Sequence, residues 1–168
     1  MWLYRPSRGI VSRVRLSADM QRVVLEQRLG FVATVTPEGR PNLSPKGTTT
    51  VLDDEHLVFA DIASPGTVAN LQANPYVEVN VVDPIVRKGY RFRGTATVYA
   101  AGDDSYERGL VALRDRGFAT APERINSIVV IAVTDAAPLV SPAYDVGATE
   151  AAVVERWLRH QTEIHRSP

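Results

Sequence analysis

The chain of 168 residues contains no cysteine. This absence excludes disulfide bonds, thiolate nucleophiles, iron–sulfur clusters and zinc sites ligated by cysteine. Histidine is scarce as well, since there are only three in the chain. His160 and His165 lie five positions apart, whereas a paired metal site on a helix needs a step of four. We therefore expect no metal site.

Excess charge and long apolar runs are also lacking. Lysine plus arginine and aspartate plus glutamate both number 19, so the formal net charge is zero, whereas a general polyanion binder is usually strongly basic. No run approaches the roughly 18 apolar residues of a membrane-spanning helix. The first 18 residues carry four arginines and no acid, without the continuous apolar core of a secretory signal. We expect residues 1–16 to form a surface arm. For the protein as a whole we expect a cytoplasmic location and neither a membrane nor a nucleic-acid partner.

The chain length fits one domain over residues 1–168, because no repeat or low-complexity linker interrupts it. β-Branched runs bounded by turn residues predict six strands, at residues 31–36, 41–51, 57–61, 77–82, 90–99 and 128–133. Helices are predicted to begin near Ser17, Ser64 and Asp103, and a last one to cover residues 149–165. Most strands are joined by short turns, which favours a mainly β, α+β fold: an antiparallel barrel with flanking helices rather than alternating βαβ units.

The segment from Ser64 to Thr67 is typical of a helix start that can hold an anion. Ser64 is a favoured N-cap, Pro65 suits the first helical position, and Gly66 permits close approach to the backbone. The free amides and partial positive charge of a helix N-terminus attract a phosphate group. An ordinary, well-capped helix has the same sequence, so both interpretations stay open.

Two further segments place cations where a ligand could lie. In Ser44-Pro45-Lys46-Gly47, the proline and glycine predict an irregular backbone with groups free to bond a planar ligand. Within residues 90–93, the strand period places Arg91 and Arg93 on one face, and their planar donor groups suit a phosphate or carboxylate. A solvated edge strand and solvent-facing arginines beside acids are the alternatives.

In order and spacing, these segments resemble the FMN-binding split-barrel family related to pyridoxamine 5′-phosphate oxidase. The resemblance covers about residues 18–135 and is carried by residues 30–42, 44–47, 64–71, 74–75 and 87–94. It implies a six-stranded antiparallel split β-barrel with flanking helices, paired as a homodimer. In such proteins each FMN lies in the groove between the subunits.

The resemblance also implies which residues hold the cofactor. The matching positions are Ser44, Pro45, Lys46, Gly47, Asp61, Ile62, Ala63, Ser64, Thr67, Asn70, Lys88, Arg91 and Arg93. Lys46 would bond the flavin or its phosphate, and Ser64 and Thr67 match the phosphate site. Many relatives carry a lysine or arginine where this chain has Gly66. The C-terminal arginine signature of the true oxidases is not evident, so oxidation of pyridoxamine phosphate is not implied.

The implied function is that of an FMN-dependent oxidoreductase, moving hydride or electrons between flavin and a small organic substrate. Flavin carries the chemistry itself, which agrees with the lack of an obvious catalytic acid, base or nucleophile. Three alternatives stay open: a flavin carrier without turnover, the same fold using F420 or haem, and a small β-barrel that binds nucleic acid through residues 90–93. The neutral net charge argues against the last.

Overall fold

The computed structural model describes residues 13–118 and 121–166, and most of the predicted N-terminal arm lies outside them. The helices and strands run in the order α1 (Ala18–Gln27), β1 (Gly30–Val35), β2 (Pro41–Lys46), β3 (Thr50–Asp53), β4 (His56–Asp61), α2 (Pro65–Ala73), β5 (Tyr76–Asp83), β6 (Lys88–Tyr99), α3 (Asp104–Asp115), a short 3₁₀ helix (Pro122–Arg124), β7 (Ser127–Val140) and α4 (Glu150–Arg166). The α+β class, mainly an antiparallel sheet with flanking helices, is confirmed.

Within the part of the chain that the structure describes, the sheet has seven strands rather than the six predicted, in the order β2-β1-β5-β6-β7-β4-β3. The difference arises because the predicted strand over residues 41–51 divides into β2 and β3. Pro45 cannot donate to a ladder, and a turn follows Lys46, where the amide of Thr49 donates to the Lys46 carbonyl at 3.3 Å. β2 pairs with β1, whereas β3 pairs with β4.

The two edges of the sheet meet at this turn. β2 and β3 are the outermost strands of the order, yet only residues 47–49 connect them. In a flat sheet with strands about 4.8 Å apart, the edges would lie about 29 Å from each other. Four Cα–Cα steps reach about 15 Å at most. The sheet therefore curls until its edges approach at one corner, while no described pairing joins β2 to β3 and closes it.

Apolar side chains fill the inside of the curl. Its fully buried residues include Val32, Leu57, Phe59, Val79, Val81, Phe92, Val129 and Ile131. Val23 and Val24 of α1 and Leu71 of α2 pack against this core. A second cluster forms where α3 covers the other side of β4 and β7, with Leu110 and Leu113 packed near Val58 and Ile128.

The C-terminal helix agrees with the predicted residues 149–165 almost to the residue. Val153 is its one buried side chain among the described residues. Near its start, Glu150 pairs with Lys88 at 2.7 Å, and the Arg87 guanidinium lies 4.1 Å from the centre of the Trp157 ring. The first two turns therefore fasten α4 to the β5–β6 turn. Within the described ranges, every helix is too short or too polar to span a bilayer.

Candidate functional site

A cleft of about 230 Å³ opens at the corner where the sheet edges meet. One wall is the end of β2 and the turn after it, and the other is the end of β4 and the start of α2. Its lining residues are Ser44, Pro45, Lys46, Gly47, Thr48, Ala60, Ile62, Ala63 and Ser64. The cleft thus brings together two segments that the sequence predicted separately, residues 44–47 and 62–64, whereas Asp61 does not line it.

Lys46 is the cation of this cleft, and its side chain turns inward. The residue is only 6% exposed, because alternate positions of β2 face the inside of the curl. Its ammonium donates to the Ser44 hydroxyl and lies 5.8 Å from the centre of the Phe59 ring. Across residues 13–118 and 121–166, no carboxylate forms an ion pair with it. Lys46 is therefore a buried positive charge that pairs with no carboxylate among the described residues.

Burial lowers the pKa of Lys46, since desolvation disfavours the charged ammonium. The negative field of Asp61 opposes this effect without cancelling it. An anion placed in the cleft would supply the missing counter-charge and would favour the ammonium form. The chemistry of this residue thus matches an anionic ligand.

Asp61 holds the start of α2 in place. Its carboxylate is buried and accepts from the Ser64 amide at 3.0 Å and from the Ser64 hydroxyl at 2.8 Å. Ser64 occupies the predicted N-cap position, but its side chain does not cap the helix. Among the described residues, nothing accepts from the amides of Gly66 and Thr67. Two donors of the first turn of α2 thus remain available, together with the positive end of the helix dipole.

Gly66 keeps this helix start uncovered. A Cβ atom built on Gly66 would meet nothing within 4 Å, and Gly66 does not adopt a positive φ. Glycine is therefore not required there by the fold. Thr67 follows in the same turn and is buried, at 3% exposure.

Asn70 lies one turn further along α2 and contacts the sheet. Its amide nitrogen donates to the Thr34 hydroxyl at 3.0 Å, inside the protein. Asn42 of β2 donates to the same hydroxyl at 3.1 Å. This hydroxyl thus joins α2, β1 and β2.

The predicted cations of β6 lie outside the cleft within one chain. Arg93 pairs with Glu78 at 2.9 Å and with Asp135 at 3.1 Å, and the Nε atom of Arg91 lies 3.0 Å from Glu78. Lys88 pairs with Glu150. These cations lie beside acids from other strands or from α4, which is the alternative interpretation that the sequence left open.

Two residues that line the cleft, Thr48 and Ala60, are not among the predicted site residues. The Thr48 hydroxyl accepts from the Ala60 amide at 3.0 Å and lies 3.4 Å from the Ala60 carbonyl oxygen, to which it donates. The side chain thereby joins the turn after β2 to β4. The signal lies in strand register, because Thr48 faces Ala60 when the β3–β4 pairing is continued.

The outer face of the sheet, opposite the core, carries exposed apolar side chains. We call Phe31, Val35, Leu43 and Tyr76 the outer-face patch; their exposures run from 39% to 64%. A groove of about 530 Å³ runs beside it along β1, β5 and β6. On the same face, Asn80 Oδ1 is buried and has no hydrogen-bond partner among the described residues, and the buried Arg91 Nε atom, although 3.0 Å from Glu78, is not aligned for a hydrogen bond with it. Within the described residues, no group of three metal-ligating side chains forms on this face or elsewhere.

Comparison with known proteins identifies the family and the fold. The sequence profile described as pyridoxamine 5′-phosphate oxidase matches residues 16–144. HupZ from Group A Streptococcus is 28% identical, covering 74% of this chain and 94% of its own, with a TM-score of 0.64. A putative pyridoxamine 5′-phosphate oxidase from Lactobacillus delbrueckii is 22% identical, covering 73% and 93%, with a TM-score of 0.60. No curated protein matches the chain.

Other solved structures with this fold bind different groups. An F420 reductase is 22% identical, covering 72% of this chain and 98% of its own, with a TM-score of 0.57. An FMN-binding protein from Syntrophomonas wolfei and the heme storage protein HutZ from Vibrio cholerae are 14% and 17% identical, each with a TM-score of 0.57. At these identities the similarity establishes the shared fold alone.

Proposed function

The chain belongs to the pyridoxamine 5′-phosphate oxidase family, and from this premise we propose that it is a homodimeric, FMN-dependent oxidoreductase acting on a small organic substrate. The curled sheet is then a split barrel, and its open corner is the cofactor site. An FMN-binding protein and a putative oxidase among the structural neighbours support the choice of FMN. The cleft residues support it independently.

The buried ammonium of Lys46 is the observation that carries the proposal. A phosphate dianion beside it would neutralise a charge that no described carboxylate pairs with. The same dianion would accept from the amides of Gly66 and Thr67, which have no other acceptor among the described residues. The residues present therefore fit the phosphate end of FMN.

Ser44 and Asp61 have distinct tasks in this proposal. Ser44 orients the ammonium of Lys46 through the hydrogen bond between them. Asp61 fixes Ser64 and thereby the direction of α2. Bound FMN would supply reversible transfer of hydride or electrons, while the protein supplies binding, orientation and local charge. The substrate would approach the flavin ring outside the phosphate end of the cleft.

A second copy of the chain would complete the site. The cleft of about 230 Å³ is smaller than the roughly 300–1,000 Å³ of pockets that enclose drug-sized ligands. The flavin ring would therefore extend beyond it and need a second wall. The outer-face patch supplies an apolar surface for pairing, and the arginines of β6 on that face would lie near the partner's cofactor.

Reconstitution with three candidate cofactors tests the proposal. The purified protein would be incubated separately with FMN, F420 and haem, which differ in visible absorbance, and bound cofactor would be measured after desalting. We expect retention of FMN and oxidation of a reduced nicotinamide by the FMN-loaded protein. Retention of only F420 or haem would overturn the cofactor assignment. FMN binding without turnover of any reduced donor would favour the carrier alternative.

A further inference from the structure

The side chain of Thr48 takes the place of a missing strand partner. The β3–β4 ladder pairs Thr50 with Val58, and the same register places Thr48 opposite Ala60. By that point the backbone has left the strand and entered the turn after Lys46. Ala60 is nevertheless only 3% exposed, so its amide and carbonyl need partners within the protein.

One hydroxyl satisfies both groups of Ala60. A threonine hydroxyl has one donor and two lone pairs, so it can accept and donate at once. Thr48 accepts from the Ala60 amide at 3.0 Å and donates to the Ala60 carbonyl at 3.4 Å. In an antiparallel sheet, alternate residues direct their backbone groups to the same neighbouring strand. The amide and carbonyl of Ala60 therefore point, like those of Val58, toward the side on which β3 has ended.

The position of this contact connects the two walls of the cleft. Lys46 lies two residues before Thr48, and the turn between them is fixed by the Thr49 hydroxyl, which donates to the Lys46 carbonyl at 3.0 Å. Asp61 follows Ala60 directly and holds Ser64 at the start of α2. The Thr48–Ala60 contact therefore links the wall that carries the ammonium to the wall that carries the helix amides.

We propose that Thr48 is the positioning residue of the cleft. Its hydroxyl attaches the turn after Lys46 to β4. This attachment sets the distance between the Lys46 ammonium and the first turn of α2. The link to phosphate recognition rests on the proposed function. The contact with β4 does not, because it exists in the protein alone.

Three substitutions isolate the hydroxyl. Thr48→Val keeps the shape and removes both hydrogen bonds, whereas Thr48→Ser keeps the hydroxyl. Thr50→Val is the matched control, because the Thr50 hydroxyl is fully buried and has no hydrogen-bond partner among the described residues. Losing an unpartnered buried hydroxyl is neutral or stabilising.

Amide hydrogen exchange on the ligand-free protein tests the contact. We expect the Ala60 amide to exchange about tenfold or more faster in Thr48→Val, with exchange close to wild type in Thr48→Ser and Thr50→Val. Unchanged protection of Ala60 in Thr48→Val would overturn the proposal. The exchange experiment needs no flavin, so it tests the Thr48–Ala60 contact even if the proposed function fails.

The ratio of riboflavin to FMN dissociation constants tests the positioning role. Riboflavin lacks the phosphate, so a general loss of stability weakens both ligands alike. We expect Thr48→Val to lower the preference for FMN by about tenfold, and Thr48→Ser to restore it. An unchanged preference for FMN in Thr48→Val, whether or not both ligands bind more weakly, would overturn the positioning role of Thr48. If the wild type binds neither flavin, the cofactor assignment fails instead.

Discussion

At the scale of single residues, Lys46 determines the charge of the cleft. Burial lowers its pKa from the ordinary value of 10.5, with Asp61 acting in the opposite direction. Between the folded pKa and the unfolded value, the unfolded chain binds more protons than the folded one. The free energy of unfolding therefore rises with pH through this window, and below it the charged ammonium destabilises the fold.

We predict that Lys46→Met removes the rise of the free energy of unfolding with pH. Without ligand, the variant should unfold at higher urea concentration than wild type at neutral pH, because it buries no charge. The difference in stability between the variant and the wild type should shrink as the pH approaches 10.5. Urea denaturation of both proteins across this range measures the difference. A difference that stays constant with pH would mean that the Lys46 ammonium is solvated in the folded protein.

Substitutions of Gly66 distinguish the stability of α2 from its ability to bind an anion. Gly66→Asp should leave the protein as stable or stabilise it by about 0.3–1 kcal/mol, because an acid in the first turn favours the helix dipole. The same carboxylate would repel a phosphate dianion, so we predict that FMN binds about tenfold or more weakly. Isothermal titration calorimetry and thermal unfolding measure the two effects. Gly66→Ala is the control and should keep the affinity; equal affinities of both variants would place the phosphate elsewhere.

At the scale of elements, the position of α2 depends on Asn70. Asn70→Ala removes a buried hydrogen bond to Thr34 and should lower the free energy of unfolding by about 1–3 kcal/mol. Asn42→Ala removes a bond to the same hydroxyl from a half-buried position and should cost less. Urea denaturation compares the two. Equal losses would show that α2 is held mainly by other contacts.

The helices could be predicted from the sequence because their signals are local. Ser17 caps α1 as expected, since its hydroxyl accepts from the Met20 amide at 3.2 Å. Gly30, the first glycine after this helix, does not mark its end: α1 ends at Gln27, and Arg28 adopts the left-handed conformation. A polar residue with a positive φ is less visible in sequence than a glycine.

The division of the second strand could not be predicted in the same way. Three consecutive threonines favour a strand by propensity, yet the chain leaves one sheet edge after Lys46 and joins the other only at Thr50. That change depends on where β4 lies in space. The role of Thr48 was hidden for the same reason, because it requires Ala60 as a partner.

The fold brings together part of the predicted cofactor site within one chain. Ser44, Lys46 and Ser64, which the resemblance assigns to one cofactor site, line the same cleft. The cations of β6 do not join them, because Glu78, Asp135 and Glu150 approach from elsewhere in the fold and pair with them. Such pairings cannot be read from the alternation of a single strand.

At the scale of the whole molecule, the proposed dimer predicts a defined response to mutation. Leu43 is 64% exposed, so Leu43→Asp should leave the fold intact while placing a charge in the outer-face patch. We predict that the variant sediments as a monomer at concentrations where wild type is dimeric. Leu158→Asp on α4, at 50% exposure, is the control and should remain dimeric. A dimer that persists in Leu43→Asp would place the interface on another surface.

The proposed phosphate site at Lys46 is tested most directly by comparing the binding of FMN with that of riboflavin. Hydrogen bonds to charged groups contribute about 1.5–3 kcal/mol, which corresponds to roughly 10- to 150-fold in affinity. We predict that wild type prefers FMN by a factor in this range, and that Lys46→Met loses most of the preference while still binding riboflavin. Equal affinities of the wild type for the two flavins, or a full preference retained in Lys46→Met, would contradict the assignment of the cleft.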